Sequence, residues 1–302
     1  MTFSLLLAFL NVAFPKPDAS LPYVERVYVI GATDPGVKSV TINGEEFPVH
    51  PLGGWVGMAK VKEGENEIEV RRKKEEGRST EEEVKRKFTV AKKPEPTTNK
   101  APAKVYKKLE YAADQPKARE LTRVIVLDPG HGDKDTGAVS PHNLPEKDAN
   151  LKLALAVRKE LIARDFTVYM TREYDTFTEL YERPRLAHEV DADLFVSIHH
   201  NAPPMDKDPR KLRYHAVYCW NELGEKPAKL INKRMAETLG KALTNNGVPH
   251  ANFAVTRNPE IPSCLIEADF ITTPEAELDA WNPERRQKLA EAIAKGIEDY
   301  YE

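Results

Sequence analysis

The chain has 302 residues, enough for two domains of ordinary size. Apolar residues make up 40%, charged residues 31%, and the net charge is −3, a soluble globular composition with a heavily charged surface. No basic stripe interleaves with aromatics, so nothing points to a nucleic-acid partner.

The first twenty residues, MTFSLLLAFLNVAFPKPDAS, carry a 12-residue apolar run from Phe3 to Phe14. The run is too short to span a bilayer and has the length of a signal-peptide core. No Lys or Arg precedes it and no A-x-A cleavage site follows it. Residues 1–20 are expected to be a signal peptide and the protein to be exported, and no other stretch could cross a membrane. Residues 21–91 read as short strands. VERVYVIG is one, VKSVTINGEEFPV carries a hairpin signal at Asn43-Gly44, and NEIEV and KRKFTV close the region. Gly53, Gly54 and Gly64 mark further turns, and no helical period fits. Such a series suggests a small β-sandwich. The mixed-sign run RRKKEEGRSTEEEVKRK reads as a solvated hairpin. AKKPEPTTNKAPAK, rich in Pro, Thr and Lys, reads as part of an extended linker over residues 92–120.

Residues 121–302 alternate strand and helix signals. TRVIVLD is a buried strand, EKDANLKLALAVRKELIARD a helix, and FTVYMT a strand. FTELYERPRLAHEV is expected to be helical despite Pro184, followed by strands ADLFVSIH and HAVYCW. PAKLINKRMAETLGKALTNNG is expected to be a helix ending at Gly247. FAVTR and SCLIEADF read as strands, and NPERRQKLAEAIAKGIEDYY as the closing helix. This pattern predicts an α/β domain whose largely parallel twisted sheet is flanked by helices. Cys219 and Cys264 lie inside apolar strands, too far apart for a C-x-x-C metal pair, and read as buried small hydrophobes.

In an open parallel sheet, functional groups collect beyond the carboxyl ends of the strands. His131 follows VIVLD in the glycine-rich turn DPGHGDKDTG, His199 ends LFVSIH, and Glu267 lies within CLIEADF. Glu146, in LPEKDAN, opens the first helix. Two histidines and a carboxylate match an open catalytic zinc site, with a spare carboxylate as general base. Taken singly, each has an ordinary alternative: a histidine in a turn, or an acid at a helix N-terminus. The spacing alone therefore leaves metal binding and phosphate binding by the glycine turn both open. The phosphate reading lacks the Lys-Ser/Thr ending of a P-loop and gives Glu146 and Glu267 no role.

The motifs VIVLDPGHGDKDTGA, LPEKDANL, VYMTREYDTFTELYERPRLA, ADLFVSIHHNA and VTRNPEIPSCLIEADFITTPEAE occur in the order found in one family. Over Arg123 to Tyr300 the chain resembles the zinc-dependent N-acetylmuramoyl-L-alanine amidases of the type 3 family. The resemblance implies that His131, Glu146 and His199 bind Zn2+ and that Glu267 is the catalytic carboxylate. It implies a peptidoglycan hydrolase that cleaves the amide between N-acetylmuramic acid and L-alanine of the stem peptide, in the periplasm, cell envelope or outside the cell. Residues 21–91 resemble, more weakly, bacterial immunoglobulin-like modules that serve as spacers or wall-docking surfaces, and the spacer is the preferred expectation. A catalytically silent wall-binding protein and a different metal-dependent hydrolase on the same fold are the alternatives.

His200 should point away from His199 if the strand persists, leaving it at most a site-lining role. Asp269 replaces a glycine usual in the family. It should share a strand face with Glu267, and either raises that group's pKa by like-charge repulsion or is paired structurally. Asp133 and Asp135 either orient the ligands or touch only water. The short link NAPPMDKDPRKLR after His199 leaves no room for the blocking helix carried by some relatives.

Overall fold

The computed structural model describes residues 9–72, 82–94 and 123–302, which form an all-β unit and an α/β unit. Most of the expected linker, the tip of the charged hairpin and the first eight residues lie outside the described residues.

The first unit holds β1 (Leu10–Phe14), β2 (Ala19–Leu21), β3 (Arg26–Thr33), β4 (Ser39–Ile42), β5 (Glu45–Pro48), β6 (Gly54–Lys60), β7 (Gly64–Arg72) and β8 (Glu83–Val90). They form two sheets, ordered β1-β3-β6 and β2-β8-β7-β4-β5. Both contribute to one core around Val29, Trp55, Ile42, Ile68 and Phe88. Asn43 and Gly44, with φ of 49° and 84°, make the tight β4–β5 hairpin turn that the Asn-Gly pair predicts. One boundary differs from expectation. Leu10–Phe14 pairs antiparallel with β3, and Ala19–Leu21 pairs parallel with β8. The division expected after residue 20 therefore falls inside this unit. The apolar side chains of Val12 and Ala13 are buried within it.

The second unit contains β9 (Val124–Pro129), α1 (Glu146–Ile162), β10 (Thr167–Met170), α2 (Glu182–Glu189), β11 (Leu194–Asn201) and β12 (Tyr214–Cys219). It continues with α3 (Glu222–Leu239), β13 (Thr244–Asn245), β14 (Ser263–Phe270), α4 (Pro274–Trp281) and α5 (Pro283–Tyr301). The sheet order is β10-β9-β11-β14-β12-β13. The first four strands run parallel, and β12 is antiparallel to β14. Strand alternation divides the side chains. Ile125, Leu127, Val196, Ile198 and Ile266 pack under α1, α3 and α5, against Leu153, Val157, Ile231 and Ile293. Val124, Val126, Phe195 and Leu265 face α2 and the 253–261 segment through Ala187, Val255 and Ile261. Each such large apolar side chain contributes about 1.5–3 kcal/mol on burial. Cys219 and Cys264 are free, fully buried register partners across β12 and β14. No helix among the described residues is long and apolar enough to cross a membrane.

Four local expectations change. FTELY is not helical. The helix begins at Glu182, which puts Pro184 in its first turn, where its missing N–H breaks no helical bond. α3 starts at Glu222, capped by Asn221 accepting from the Gly224 amide at 3.2 Å, and ends at Gly240 (φ 57°) rather than Gly247. FAVTR is no strand, because Ala254–Thr256 closes into a single 3-10 turn on the Phe253 carbonyl. α4 was not expected at all, although Thr273 caps it, accepting from the Ala276 amide at 3.2 Å, and Pro274 and Glu275 open it.

The β unit is not held apart as a spacer would be. β3 and β6 are buried on both faces. Val27, Val29 and Trp55 point into the sandwich, whereas Tyr28, Ile30, Val56 and Met58 form a second cluster with Val139 of the α/β unit, and Met205 packs on it. The Tyr28 amide donates to the Met205 carbonyl at 2.9 Å, and His142 Nε2 lies 3.1 Å from the Leu52 carbonyl. Gly54 abuts Pro274 so closely that a side chain there would collide with it and crowd Pro141.

Candidate metal and catalytic site

The site forms where β9, β11 and β14 end and α1 begins. The DPGHGDKDTG turn leaves β9 through His131, at a φ of 63°, and Gly132, at 137°. Two buried arginines hold its backbone. Arg172 donates to the carbonyls of Pro129 and Gly130, both at 2.9 Å. Arg183 donates to the Pro129 carbonyl at 3.1 Å and to the His131 carbonyl at 3.0 Å. Arg183 also pairs at 2.8 Å with Asp128, which is fully buried and further accepts from Thr171 and Ser197. Its remaining lone pairs are thus occupied, the condition under which a buried ion pair is tolerated.

Carbonyls held this way fix where the His131 side chain points. His131 Nε2 lies 3.2 Å from Glu146 Oε1, and His199 Nδ1 lies 3.1 Å from the same oxygen. One donor atom from each of the three residues falls within 4.8 Å of the others. Two imidazoles and one carboxylate at that separation are a donor set that suits a zinc ion with a position left open. Asp135 Oδ2 sits 2.9 Å from His131 Nδ1, which turns Nε2 of that ring toward the triad. Burial alone would lower the His131 pKa, but the hydrogen bonds and charges of Glu146 and Asp135 prevail and raise it to about 9. A divalent cation would displace that proton.

Glu146 is itself held in place. Its Oε2 accepts from the Ala138 amide at 3.0 Å, and its Oε1 accepts from Asn150 at 3.1 Å and from the His200 amide at 3.2 Å. Burial opposes ionisation of Glu146, yet the hydrogen bonds of His131 and His199 hold its pKa well below the usual range. The glycines of the turn serve the same geometry. A side chain at Gly130 would meet the His199 ring at 2.1 Å, and one at Gly137 would meet Glu146 Oε2 at 2.5 Å.

Glu267 stands beside this cluster, in register with His199 across β11 and β14. Its Oε2 is shielded from solvent and has no hydrogen-bond partner among the described residues. Burial, and then the charge of Glu146, push its pKa well above the usual range. A carboxyl group in that state is poised to take up and release a proton.

The structure thus brings together all four residues singled out in the sequence. His200 points to the opposite side of β11, where Nδ1 lies 2.9 Å from Asn150 Oδ1 and burial holds its pKa down to about 4. It braces Asn150, which in turn donates to Glu146. Asp269 is fully buried and paired, with Arg213 at 2.9 and 2.7 Å and Arg285 at 2.7 Å, so the structural alternative holds for it. The like charge acting on Glu267 comes from Glu146 instead. Asn150, Arg172 and Arg183 were not anticipated. A polar residue one turn after Glu146, on the buried face of α1, was the available signal for Asn150. The link after His199 holds only a short 3-10 turn, Pro209–Lys211.

A family model described as N-acetylmuramoyl-L-alanine amidase matches residues 125–299. N-acetylmuramoyl-L-alanine amidase AmiA of Escherichia coli (strain K12) is 31% identical over 234 residues, covering 62% of this chain and 80% of that protein. N-acetylmuramoyl-L-alanine amidase LytC of Bacillus subtilis (strain 168) is 34% identical over 189 residues, 63% of this chain but only 38% of that protein. The solved structure of N-acetylmuramoyl-L-alanine amidase AmiC2 of Nostoc punctiforme superimposes with a TM-score of 0.56 at 34% identity, covering 59% of this chain and 97% of that one.

Proposed function

The chain belongs to the N-acetylmuramoyl-L-alanine amidase family, and from that premise we propose that it is a zinc-dependent peptidoglycan hydrolase. It cleaves the amide that joins the lactyl group of N-acetylmuramic acid to L-alanine of the stem peptide. The observation that carries this reading is the meeting of His131, Glu146 and His199 beside the shielded carboxyl group of Glu267.

His131, Glu146 and His199 would hold the ion, with Asp135 orienting His131 and Asn150 orienting Glu146. Zinc held there would supply Lewis acidity, lowering the pKa of a water toward neutrality and favouring charge on the amide oxygen. Glu267 takes a proton from the attacking water and delivers it to the leaving nitrogen of L-alanine. The C–N bond breaks, the lactyl carboxylate stays on the glycan, and the free amine stays on the peptide. The raised pKa of Glu267 suits both halves of that transfer, since the group must bind the proton before it gives it up.

Peptidoglycan lies outside the cytoplasmic membrane, so the protein acts in the cell envelope, as an exported protein. The N-terminal unit is read as an immunoglobulin-like module, supported by two sheets that enclose one core. Digestion of purified peptidoglycan tests the reading. Peptides with a free L-alanine amine should appear with zinc present and vanish with a chelator. Intact sacculi that bind the protein without cleavage would favour the silent wall-binding alternative.

A further inference from the structure

The contact between the two units borders a cleft of about 930 Å3 that reaches Glu267. On the β unit its wall is Phe14, Lys16, Pro22, Val24 and Tyr28, and on the α/β unit it includes Ala138, Tyr214 and Phe270. The linkage to the catalytic groups is short. Lys16 Nζ lies 3.5 Å from Thr136 Oγ1. Thr136 precedes Gly137, which abuts Glu146, and Ala138, whose amide donates to Glu146. The cleft is therefore continuous with the proposed catalytic site. A second cleft of about 440 Å3, lined by Glu179, Arg183, Phe177 and Val255, leaves the same site by a different route, and Glu267, His199 and His131 border it.

A muramoyl amide has two arms to accommodate, a glycan and a peptide. We infer that the cleft walled by the β unit binds the stem-peptide arm, with Lys16 pairing with a free α-carboxylate of the stem. This rests on the amidase reading above and assigns one side of that same site. The choice of arm follows from chemistry. The lining is mostly apolar, which suits alanyl methyl groups and the aliphatic part of a γ-linked glutamate. A sugar, by contrast, presents hydroxyl and acetamide groups that need many hydrogen-bond partners. Lys16 is exposed at the rim, and among the described residues it forms no ion pair. Of the two acidic residues of the lining, Glu267 belongs to the proposed catalytic site and Asp206 is paired with Lys207 at 3.1 Å. An ammonium without a carboxylate partner, at the edge of an apolar trough, is matched by a peptide that carries a free α-carboxylate. The β unit is then part of the substrate site rather than a tether to it.

The test uses the zinc-loaded full chain and two soluble substrates, N-acetylmuramoyl-L-alanyl-D-glutamate and its D-isoglutamine counterpart. They differ only in whether the second residue carries a free α-carboxylate or an amide. Lys16→Ala should raise KM for the carboxylate substrate by roughly three- to tenfold, as expected for loss of a partly exposed charge-assisted contact, with kcat little changed. For the amide substrate KM should be unchanged, and Lys16→Arg should retain most of the carboxylate preference. Calorimetric binding of the free product, L-alanyl-D-glutamate, should weaken in parallel in Lys16→Ala. An equal effect on both substrates, or none on either, overturns the assignment while the amidase reading stands. Binding of free N-acetylmuramic acid weakened by Lys16→Ala overturns it too, since the arms would then be exchanged. Failure of the wild-type chain to cleave either substrate overturns the amidase reading, and the assignment with it.

Discussion

His199 and Glu267 are register partners on adjacent parallel strands, so a proposed metal ligand and a proposed proton carrier leave one sheet side by side. The pairing of β11 with β14 fixes their relation more firmly than two loops could. A one-residue slip of either strand would put the two side chains on opposite faces of the sheet.

Glu267 acts as a base only when ionised, and its pKa lies well above the ordinary carboxylate value of 4.5. As pH falls through that raised value, the group takes up a proton and activity is lost. The acid limb of kcat/KM is therefore expected above 4.5, although a cation at the triad offsets the charge of Glu146 and limits the rise. A pH-rate profile of the zinc-loaded chain measures it. Full activity down through the ordinary carboxylate range would contradict Glu267 as the base.

Gly130→Ala should damage the site without touching a ligand. The added methyl would meet the His199 ring at 2.1 Å, and that ring is held by Glu146 at 3.1 Å and by edge contact with His131. The expected outcome is loss of stoichiometric zinc in a folded protein, read by metal analysis and circular dichroism together. Wild-type zinc content would contradict the close approach.

Asp135→Asn should weaken zinc binding rather than abolish it. The carboxylate contacts His131 at 2.9 Å on the nitrogen away from the triad. Residues that orient a ligand in this way are worth about 10–100-fold in metal affinity. Competition with a chromophoric chelator should give a loss in that range, whereas His131→Ala should lose far more.

Arg183→Ala should be strongly destabilising, because it strands the carboxylate of Asp128 in a fully buried position. Removing one partner of a buried ion pair costs about 3–5 kcal/mol. Urea unfolding should show a loss of that order. A loss under about 1 kcal/mol would mean that Thr171 and Ser197 satisfy Asp128 unaided.

The alternation of apolar strands with amphipathic helices was enough to predict the α/β sheet, and its buried strands are those the runs VIVL, LFVSI and CLIE indicate. Three of the four proposed site residues were legible because they lie at or just past a strand end or at a helix start, and Glu267 because a carboxylate inside an apolar strand is costly to bury without a role. What escaped was mostly tertiary. Arg172 and Arg183 read as ordinary helix- or loop-surface charges until the turn they clamp is in place. FAVTR has strand composition, but its Thr256 amide bonds back to the Phe253 carbonyl and closes a local turn instead of a ladder. The apolar run at the start suggested a leader because its length fits one, yet from Leu10 onward the same residues pair as β1. The uninterrupted apolar character of YVIGA and WVGMA carried a further signal: a strand apolar on both faces needs a second partner. Here that partner is the α/β unit.

The central claim is that Glu267 moves the proton while His131, Glu146 and His199 hold zinc. Glu267→Gln tests it most directly, with zinc content and release of peptide from purified peptidoglycan measured on the same preparation. The expected result is one zinc per chain, as in the wild type, with hydrolysis reduced by at least about 10²-fold. Wild-type turnover in that variant would contradict it.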